Sequence, residues 1–232
     1  MIQERLNSLR IQIDQACDRA GRSPDEVRLL AVSKGHPASA IAEAWRAGLR
    51  DFGENYVQDW NQKAEDPELL QLEGLRWHFI GALQRNKIRF LLGRVSTIET
   101  VDRWRLASEL GRRAQAEGRT QRVLLQVNLE EEASKSGFSA DELRTRFREL
   151  TRLEGIDIQG LMAIPPRRSD PEETRRDHRA LRELREELQQ RWGHPLPELS
   201  MGMSSDFEVA IQEGSTEVRL GSALFGSRPQ RT

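Results

Sequence analysis

Residues 28–37 read Arg-Leu-Leu-Ala-Val-Ser-Lys-Gly-His-Pro. The apolar run at the start of this stretch predicts a buried strand, Arg28–Ser33, because it is short, aliphatic and closed by glycine and proline. A helical pattern follows directly, and the chain then repeats the same order of strand, turn and helix to its end. The seven further predicted strands are Asp51–Gly53, Trp77–Ile80, Thr97–Val101, Arg122–Asn128, Ile156–Met162, Glu198–Met201 and Glu217–Leu220.

Amphipathic helical patterns separate these strands. The clearest are Trp104–Glu117, Glu172–Trp192 and a helix that begins at Ser139 with the capping box Ser139-x-x-Glu142. A first helix, with apolar residues at helical spacing, precedes all strands and ends at Gly21. Eight strands alternating with helices predict an α/β fold, a (β/α)8 TIM barrel with an extra N-terminal helix. An open doubly wound sheet is the alternative that the pattern leaves open.

The composition limits the function. The chain has 232 residues, with 36 basic and 37 acidic side chains and a net charge of −1, which argues against a nucleic-acid or membrane-surface protein. The single cysteine, Cys17, excludes an intrachain disulfide and a cysteine-based metal site, and the four histidines lack metal-ligand spacing. No signal-peptide core, membrane span or linker is visible, so we expect one cytoplasmic domain over residues 1–232, monomeric and without a metal.

Lysine is rare in this chain. Only four of the 36 basic residues are lysine, at Lys34, Lys63, Lys87 and Lys135, and the rest are arginine. A lysine can do what an arginine cannot, since a partly buried amine becomes a nucleophile toward a carbonyl group. Lys63 lies in a polar helical stretch, and we interpret it as a solvated helix residue.

Lys34 directly follows the first predicted strand. In a barrel this position faces the mouth, where partial desolvation favours the neutral amine and a Schiff base with an aldehyde or ketone can form. The alternative is a lysine that ends a strand in solvent, followed by an ordinary turn.

The ends of the seventh and eighth strands predict an anion site. Ser204 follows the seventh strand, and Ser205-x-x-Glu208 reads as a capping box that starts a helix there. Gly221 and Ser222 follow the eighth strand and can present backbone amides to the same point, where many barrels hold phosphate. A capped helix and a glycine turn without a ligand are the alternative.

Lys34 and the anion site together predict the kind of small molecule that binds at the barrel mouth. The first and eighth strands are neighbours in a closed barrel, so Lys34 and the phosphate site are adjacent there. Arg219 lies two residues before Gly221, on the same strand face, and points toward the molecule that carries the phosphate. Pyridoxal 5′-phosphate (PLP), a phosphorylated aldehyde, fits both.

Two further residues are candidates with equally plain alternatives. Asn55 follows the second strand and offers an amide to the mouth, or it stands in an ordinary turn near a helix start. His78 lies in the third strand and is either part of the site or a hydrogen-bonded core residue.

Several blocks resemble the YggS/PROSC family of pyridoxal phosphate homeostasis proteins. They are AVSKGHP, FGENYVQ, WHFIGALQRNK, KSGF, MGMSSDFEVAI and GSTEVRLGSALFG, in order over residues 30–226. The resemblance implies the barrel of the alanine racemase N-terminal domain, with Lys34 as the aldimine lysine. It also implies that phosphate is held by Ser204, Gly221 and Ser222, that Arg219 stands beside the pyridine nitrogen, and that the ring pocket is lined by Asn55, His78 and Met203.

The resemblance further implies a carrier or regulator of PLP without catalytic turnover, with PLP-dependent apoenzymes as partners. The family commonly has a second lysine two residues after the aldimine lysine, and here that residue is His36. A PLP-dependent racemase of the alanine racemase type is the alternative. We expect the carrier, because a two-base racemase takes a tyrosine from an additional C-terminal domain, and the only tyrosine here is Tyr56. A class I aldolase is less expected, since its lysine usually lies on a later strand.

Overall fold

The computed structural model describes residues 1–130, 136–166, 168 and 170–227, and Lys135 lies outside these ranges. Eight strands form in the order that the sequence predicts. They are β1 Arg28–Val32, β2 Asp51–Glu54, β3 Arg76–Phe79, β4 Thr97–Val101, β5 Gln121–Val127, β6 Ile156–Ala163, β7 Glu198–Met203 and β8 Glu217–Leu220. The predicted boundaries of β4 and β8 are the observed ones, and those of the other strands differ by one or two residues.

The strands close into a parallel barrel. Each strand pairs with the next, and β1 pairs with β8 through the register Leu30 to Arg219 and Ala31 to Leu220. The barrel prediction is therefore confirmed, and the open sheet is excluded because an open sheet would leave β1 and β8 as edges. Closure brings the turn after β1 beside the turn after β8.

Helices cover the outside of the barrel. In the described ranges they are α1 Ile2–Ala20, α2 Ala38–Arg46, α3 Val57–Ala64, α4 Ile88–Leu91, α5 Trp104–Ala116, α6 Ala140–Leu150, α7 Pro171–Trp192, α8 Phe207–Gln212 and α9 Ser222–Phe225. The predicted capping box of α6 is confirmed, since the Ser139 side chain accepts from Glu142 N and the Glu142 carboxylate accepts from Ser139 N. None of these helices has both the length and the apolar character that crossing a bilayer requires.

The N-terminal helix α1 is the extra element. Its apolar stripe is buried, and it packs mainly against α8 and α9. Gly21 ends it in the left-handed conformation, with φ 64°. Arg22, just beyond, donates to the carbonyls of Ile211 and Ser215 at 2.8 Å each. The first helix thus supports the segment of chain that carries β8 and its turn.

Apolar and polar residues are divided between two layers. The large apolar core lies between strands and helices, whereas the apolar cluster inside the barrel contains only Leu30, Val32 and Ile80 among the described residues. Barrel interiors are commonly filled by branched aliphatic residues. Here buried charged side chains occupy much of that space, and they lie beneath the mouth where function is expected.

Candidate functional site

Lys34 lies in a tight turn after β1. The turn is closed by a hydrogen bond of 3.0 Å from His36 N to Ser33 O, and Gly35 has φ 76°. This φ suits the third position of a type II turn, which favours glycine because other residues are strained there. The turn places Lys34 at the barrel mouth in a half-buried state.

The turn after β8 lies directly beside it. A Cβ on Gly221 would stand 3.4 Å from the carbonyl oxygen of Val32, two residues before Lys34. The imidazole of His36 stacks on Phe225 of α9, with ring centroids 4.9 Å apart. Two separate contacts therefore join the Lys34 turn to the start of α9, where the exposed Ser222 is the first residue.

The turn after β7 completes this side of the mouth. Ser204 Oγ accepts a hydrogen bond from Ala223 N at 3.3 Å, so the turns after β7 and β8 are in contact. Met203 ends β7 and is half-buried, like Ser204. Lys34, Met203, Ser204, Gly221 and Ser222 are thus gathered on three consecutive strands of the closed barrel.

The predicted capping box of α8 is wrong. The helix begins after Asp206, and Ser205 does not cap it. Asp206 instead folds back and accepts from Met203 N at 2.7 Å, while its other oxygen lies 3.0 Å from His178 Nε2. Burial would raise the pKa of Asp206, but the hydrogen bonds from His178 and Met203 hold it below its usual value. A buried histidine on α7 therefore braces this turn, because a carboxylate that accepts two hydrogen bonds is fixed in place.

Glycine at position 202 is what permits this turn to lie close to α8. Gly202 has φ 96°, and a Cβ there would stand 2.6 Å from the Cβ of Ala210. Any side chain would be strained by the backbone and would push α8 away.

Arg219 is buried inside the barrel just below the mouth. Its Nη1 donates to Ser200 Oγ and its Nη2 donates to Ala163 O, both at 2.7 Å. Burial lowers the pKa of Arg219, and the carboxylates of Glu99 and Glu217 oppose that effect. The guanidinium is held rigidly by these contacts, and it remains a donor at ordinary pH.

His78 lies deeper, in a cluster of buried charges. Its Nδ1 is 2.8 Å from Glu99 Oε1 and its Nε2 is 3.2 Å from Asp51 Oδ1. Burial would lower the pKa of His78, but hydrogen bonds to Asp51 and Glu99 and the charge of Glu217 raise it to about 10. His78 is therefore a doubly donating imidazolium, so the His78–Glu99–Glu217 group, although its ligand atoms lie within 4.8 Å of one another, is an ion-pair cluster.

The two carboxylates of this cluster differ. Burial and the neighbouring charge of Glu99 raise the pKa of Glu217, whereas His78 and Arg219 hold that of Glu99 below its usual value in spite of burial. Ser200 Oγ lies 2.8 Å from an oxygen of each. Ser200 therefore connects Arg219 to the cluster, and His78 is linked to the mouth through this chain of contacts.

The stability of the protein should fall as pH rises from 7 to 10. The pKa of His78 is about 10 in the folded protein and near 6.5 when unperturbed, so its stabilisation is complete below pH 6.5 and is lost as pH rises through 10. The expected slope approaches about 1.4 kcal/mol per pH unit between these values. Denaturant unfolding of the protein and of His78→Gln across this range measures it. The variant should be less stable at pH 7 but show a shallower decline, and equal slopes would contradict the assignment.

Asn55 follows β2 on the other side of the Lys34 turn. Its side chain is half-buried, and its Oδ1 is buried without a hydrogen-bond partner among the residues that the structure describes. An unpaired buried amide oxygen is costly unless a donor reaches it. Asn55 therefore has an acceptor to offer to a group bound at the mouth.

The interpretation of Lys63 as a solvated residue is wrong. Lys63 is only 9% exposed, and its Nζ contacts Glu54 and Ser33 behind the Lys34 turn. Lys87 is half-buried, with its Nζ 5.6 Å from the ring centroid of Phe90. Sequence reasoning also missed Glu54, Glu99 and Glu217. Two signals in the sequence could have indicated them. Lys63 is one of few lysines in an arginine-rich chain, and the three carboxylates lie within or directly after predicted strands of a barrel, which are buried on both faces.

The site has the parts that PLP binding requires. A half-buried lysine adjoins backbone amides and hydroxyls in the turns after β7 and β8, Arg219 is buried beneath them, and the buried Asn55 Oδ1 has no hydrogen-bond partner in the described part of the chain. The fold and site define a class of protein: residues 5–229 match the family model of the alanine racemase N-terminal domain. An alanine racemase from Corynebacterium glutamicum has the same fold, with a TM-score of 0.65 and 19% identity over 97% of this chain and 62% of its own.

Closer relatives define the family. The pyridoxal phosphate homeostasis protein of Aquifex aeolicus is 45% identical over 97% of both chains, and that of Escherichia coli K12 is 45% identical over 98% of this chain and 97% of its own. The solved structure of PipY from Synechococcus elongatus with PLP bound has a TM-score of 0.86 and 42% identity, over 97% of this chain and all of that one. The chain belongs to the family of pyridoxal phosphate homeostasis proteins.

Proposed function

We propose that this protein binds PLP at the barrel mouth through Lys34 and serves PLP homeostasis without catalytic turnover. The observation that carries the proposal is the adjacency of the half-buried Lys34 turn to the start of α9, shown by the stack of His36 on Phe225. The distance between the lysine and the phosphate donors is about the length of one small ligand, which suits a molecule that carries both an aldehyde and a phosphate. The PLP-bound PipY structure supports the same choice of ligand.

Lys34 supplies the amine of the covalent link. When bound, PLP supplies an aldehyde carbon that takes a primary amine, so that a C=N bond forms, the C=O bond breaks and one water leaves. Lys34 Nζ must be deprotonated for this step, and its side chain is half-buried at the mouth. The turn closed by Ser33 and His36 holds the lysine backbone in place.

Phosphate would be held by the backbone and hydroxyls of the turns after β7 and β8. Gly221 has no side chain to cover its amide, Ser222 exposes its hydroxyl, and Ser204 is tied to the same place by Ala223 N. Converging amides and hydroxyls suit an anion because each N–H or O–H donates to a phosphate oxygen. Met203, at the end of β7, and Asn55, after β2, would line the ring pocket.

Arg219 would stand beside the pyridine nitrogen. A guanidinium cannot accept a proton at ordinary pH, so it leaves the ring nitrogen unprotonated and limits the electron withdrawal on which amino-acid chemistry depends. His78 lies behind Arg219, in contact with the buried cluster, and supports it from within the barrel. This arrangement suits a protein that holds PLP, and it would also suit a racemase.

A racemase of the alanine racemase type is the second candidate. It would need a proton donor on the face of the ligand opposite Lys34. Tyr56, the only tyrosine of the chain, is 59% exposed just after β2. The likeness to racemases, at 19% identity for the one from Corynebacterium glutamicum, extends to the fold alone.

PLP-dependent apoenzymes are the proposed recipients. Transfer of PLP to an apoenzyme requires that its C=N bond to Lys34 is broken again. Water or a lysine of the apoenzyme must therefore reach this bond at the barrel mouth. A cytoplasmic location and a monomeric state stay predictions from the sequence.

The absorption spectrum tests the proposal directly. The purified protein mixed with PLP should show the absorbance band of lysine-bound cofactor, and borohydride should remove the band by reducing the C=N bond. A protein that gains no band with added PLP would contradict PLP binding through a lysine. Racemisation of free amino acids at ordinary enzymatic rates would favour the second candidate instead.

A further inference from the structure

Lys63 reaches the Lys34 turn from behind. It lies near the end of α3, and its Nζ donates to Ser33 O at 2.8 Å and to Glu54 Oε1 at 2.5 Å. The carbonyl that it contacts belongs to the peptide bond between Ser33 and Lys34. The carbonyl oxygen that Lys63 contacts is thus two covalent bonds from the backbone nitrogen of Lys34.

Ser33 is held at every polar atom. Its N–H donates to Gly53 O at 3.1 Å, its Oγ donates to Glu54 Oε1 at 2.6 Å, and its carbonyl accepts from both Lys63 Nζ and His36 N. The Ser33–Lys34 peptide cannot rotate without breaking the two hydrogen bonds that its carbonyl oxygen accepts, from Lys63 Nζ and from His36 N. The direction in which the Lys34 side chain leaves the backbone is therefore set by this group.

The pair of Lys63 and Glu54 is buried. Glu54 is fully buried and Lys63 is 9% exposed, and Glu54 Oε2 has no hydrogen-bond partner in the described part of the chain. Burial raises the pKa of Glu54, while the charge and hydrogen bond of Lys63 oppose that effect. The ammonium is therefore the main partner of the carboxylate, and a compact ammonium can reach the carboxylate and the carbonyl together.

We propose that Lys63, paired with Glu54, is a positioning residue that fixes the Ser33–Lys34 peptide so that the Lys34 amine meets the aldehyde carbon of PLP. Attack on a carbonyl requires the reacting atoms to be aligned at about 3–3.5 Å, and a displacement of 1 Å is expensive in rate. The inference rests on the proposed function, because it concerns the step that Lys34 carries out. Lys63 itself does not touch the ligand.

The test compares two ligands that differ at one carbon. PLP carries an aldehyde, whereas pyridoxine 5′-phosphate has the same ring and phosphate with an alcohol in its place and cannot link to lysine. In Lys63→Met the affinity for PLP should fall about 10-fold or more, and the absorbance band should form more slowly, because Lys34 is displaced. The affinity for pyridoxine 5′-phosphate should stay within about twofold, since its contacts do not depend on the Lys34 amine.

A second variant separates positioning from folding. Lys63→Met leaves the Glu54 carboxylate buried without a cation, so it should lower the melting temperature. The double variant Glu54→Gln/Lys63→Met removes both charges and should recover part of that stability, yet the selective loss of PLP affinity should persist. Arg175→Met is the matched control, because Arg175 on α7 is an ion-pair partner of the buried Glu213, which directly follows α8 and is not part of the Lys34 turn.

The outcomes are distinct. A parallel fall in both affinities, or recovery of PLP binding in the double variant, would overturn the positioning role and assign Lys63 to stability alone. Unchanged affinities in Lys63→Met would overturn it as well. If the parent protein shows no band that borohydride removes, the proposed function fails, and the inference fails with it for a reason visible before any variant is made.

Discussion

Replacement of Lys34 by alanine should abolish the absorbance band of lysine-bound PLP and the labelling by borohydride. The variant lacks the primary amine, and the sequence places no arginine or other lysine in the same turn. Affinity for PLP should fall by about two orders of magnitude or more, because a link formed within the site benefits from a high effective concentration. Titration of PLP followed by absorbance, with borohydride reduction and mass analysis, measures all three effects.

Lys34→Arg is the matched control for charge. It keeps the cation and a long side chain but cannot form the C=N bond, so it should also lose the band. Both variants should still bind pyridoxine 5′-phosphate, since the turns after β7 and β8 are untouched. A band that survives in Lys34→Arg would place the link on another lysine, and reduction with mass analysis would identify it.

Replacement of Arg219 by glutamate should change the electronic state of bound PLP. A carboxylate beside the ring nitrogen stabilises its protonated form, so the absorbance band should shift and its pH dependence should alter. The affinity should also fall strongly, because a new carboxyl group would be buried near Glu99 and Glu217, which Arg219 now neutralises. Spectra of the bound cofactor across pH, together with calorimetric proton uptake on binding, measure the effect.

Arg219→Met separates the two causes. It removes the cation without offering a proton acceptor, so it should weaken binding and raise the pKa of Glu99 but leave the ring nitrogen unprotonated. The spectrum of bound PLP should therefore shift in the glutamate variant and stay close to the parent's in the methionine variant. Identical spectra in all three proteins would mean that Arg219 does not face the ring nitrogen. Circular dichroism verifies that each variant is folded.

The barrel was predictable because its local signals agree with its tertiary structure. Each strand is a short apolar run closed by turn residues, and the boundaries of β4 and β8 were predicted to the residue. The position of Lys34 beside Gly221 and Ser222 followed from the same pattern, since closure makes the first and last strands neighbours. What the eight candidate residues do with PLP stays a proposal.

Other features could not be predicted, and each has a physical reason. Ser205-x-x-Glu208 satisfies the capping pattern, but Ser205 does not cap α8. The turn is instead held by Asp206, which contacts both Met203 N and His178. His178 belongs to α7, so the local sequence pattern does not contain this contact. Lys63 lies in a polar stretch that reads as solvated. Its burial depends on the end of β1 approaching α3, and helical spacing does not contain that information.

The sequence by itself determined the order of strands and helices and the place of Lys34 directly after the first strand, since apolar periodicity and turn residues act over a few neighbours. Only the tertiary structure decided how that lysine is held and what lies beneath it. Lys63 and Glu54 behind the turn, and His78, Glu99 and Glu217 inside the barrel, are charges that become stable in the interior only when folding supplies their partners. The members of the inner cluster come from different strands, and Lys63 and Glu54 come from a helix and the strand before it, so the sequence shows the charges and the fold shows their pairing.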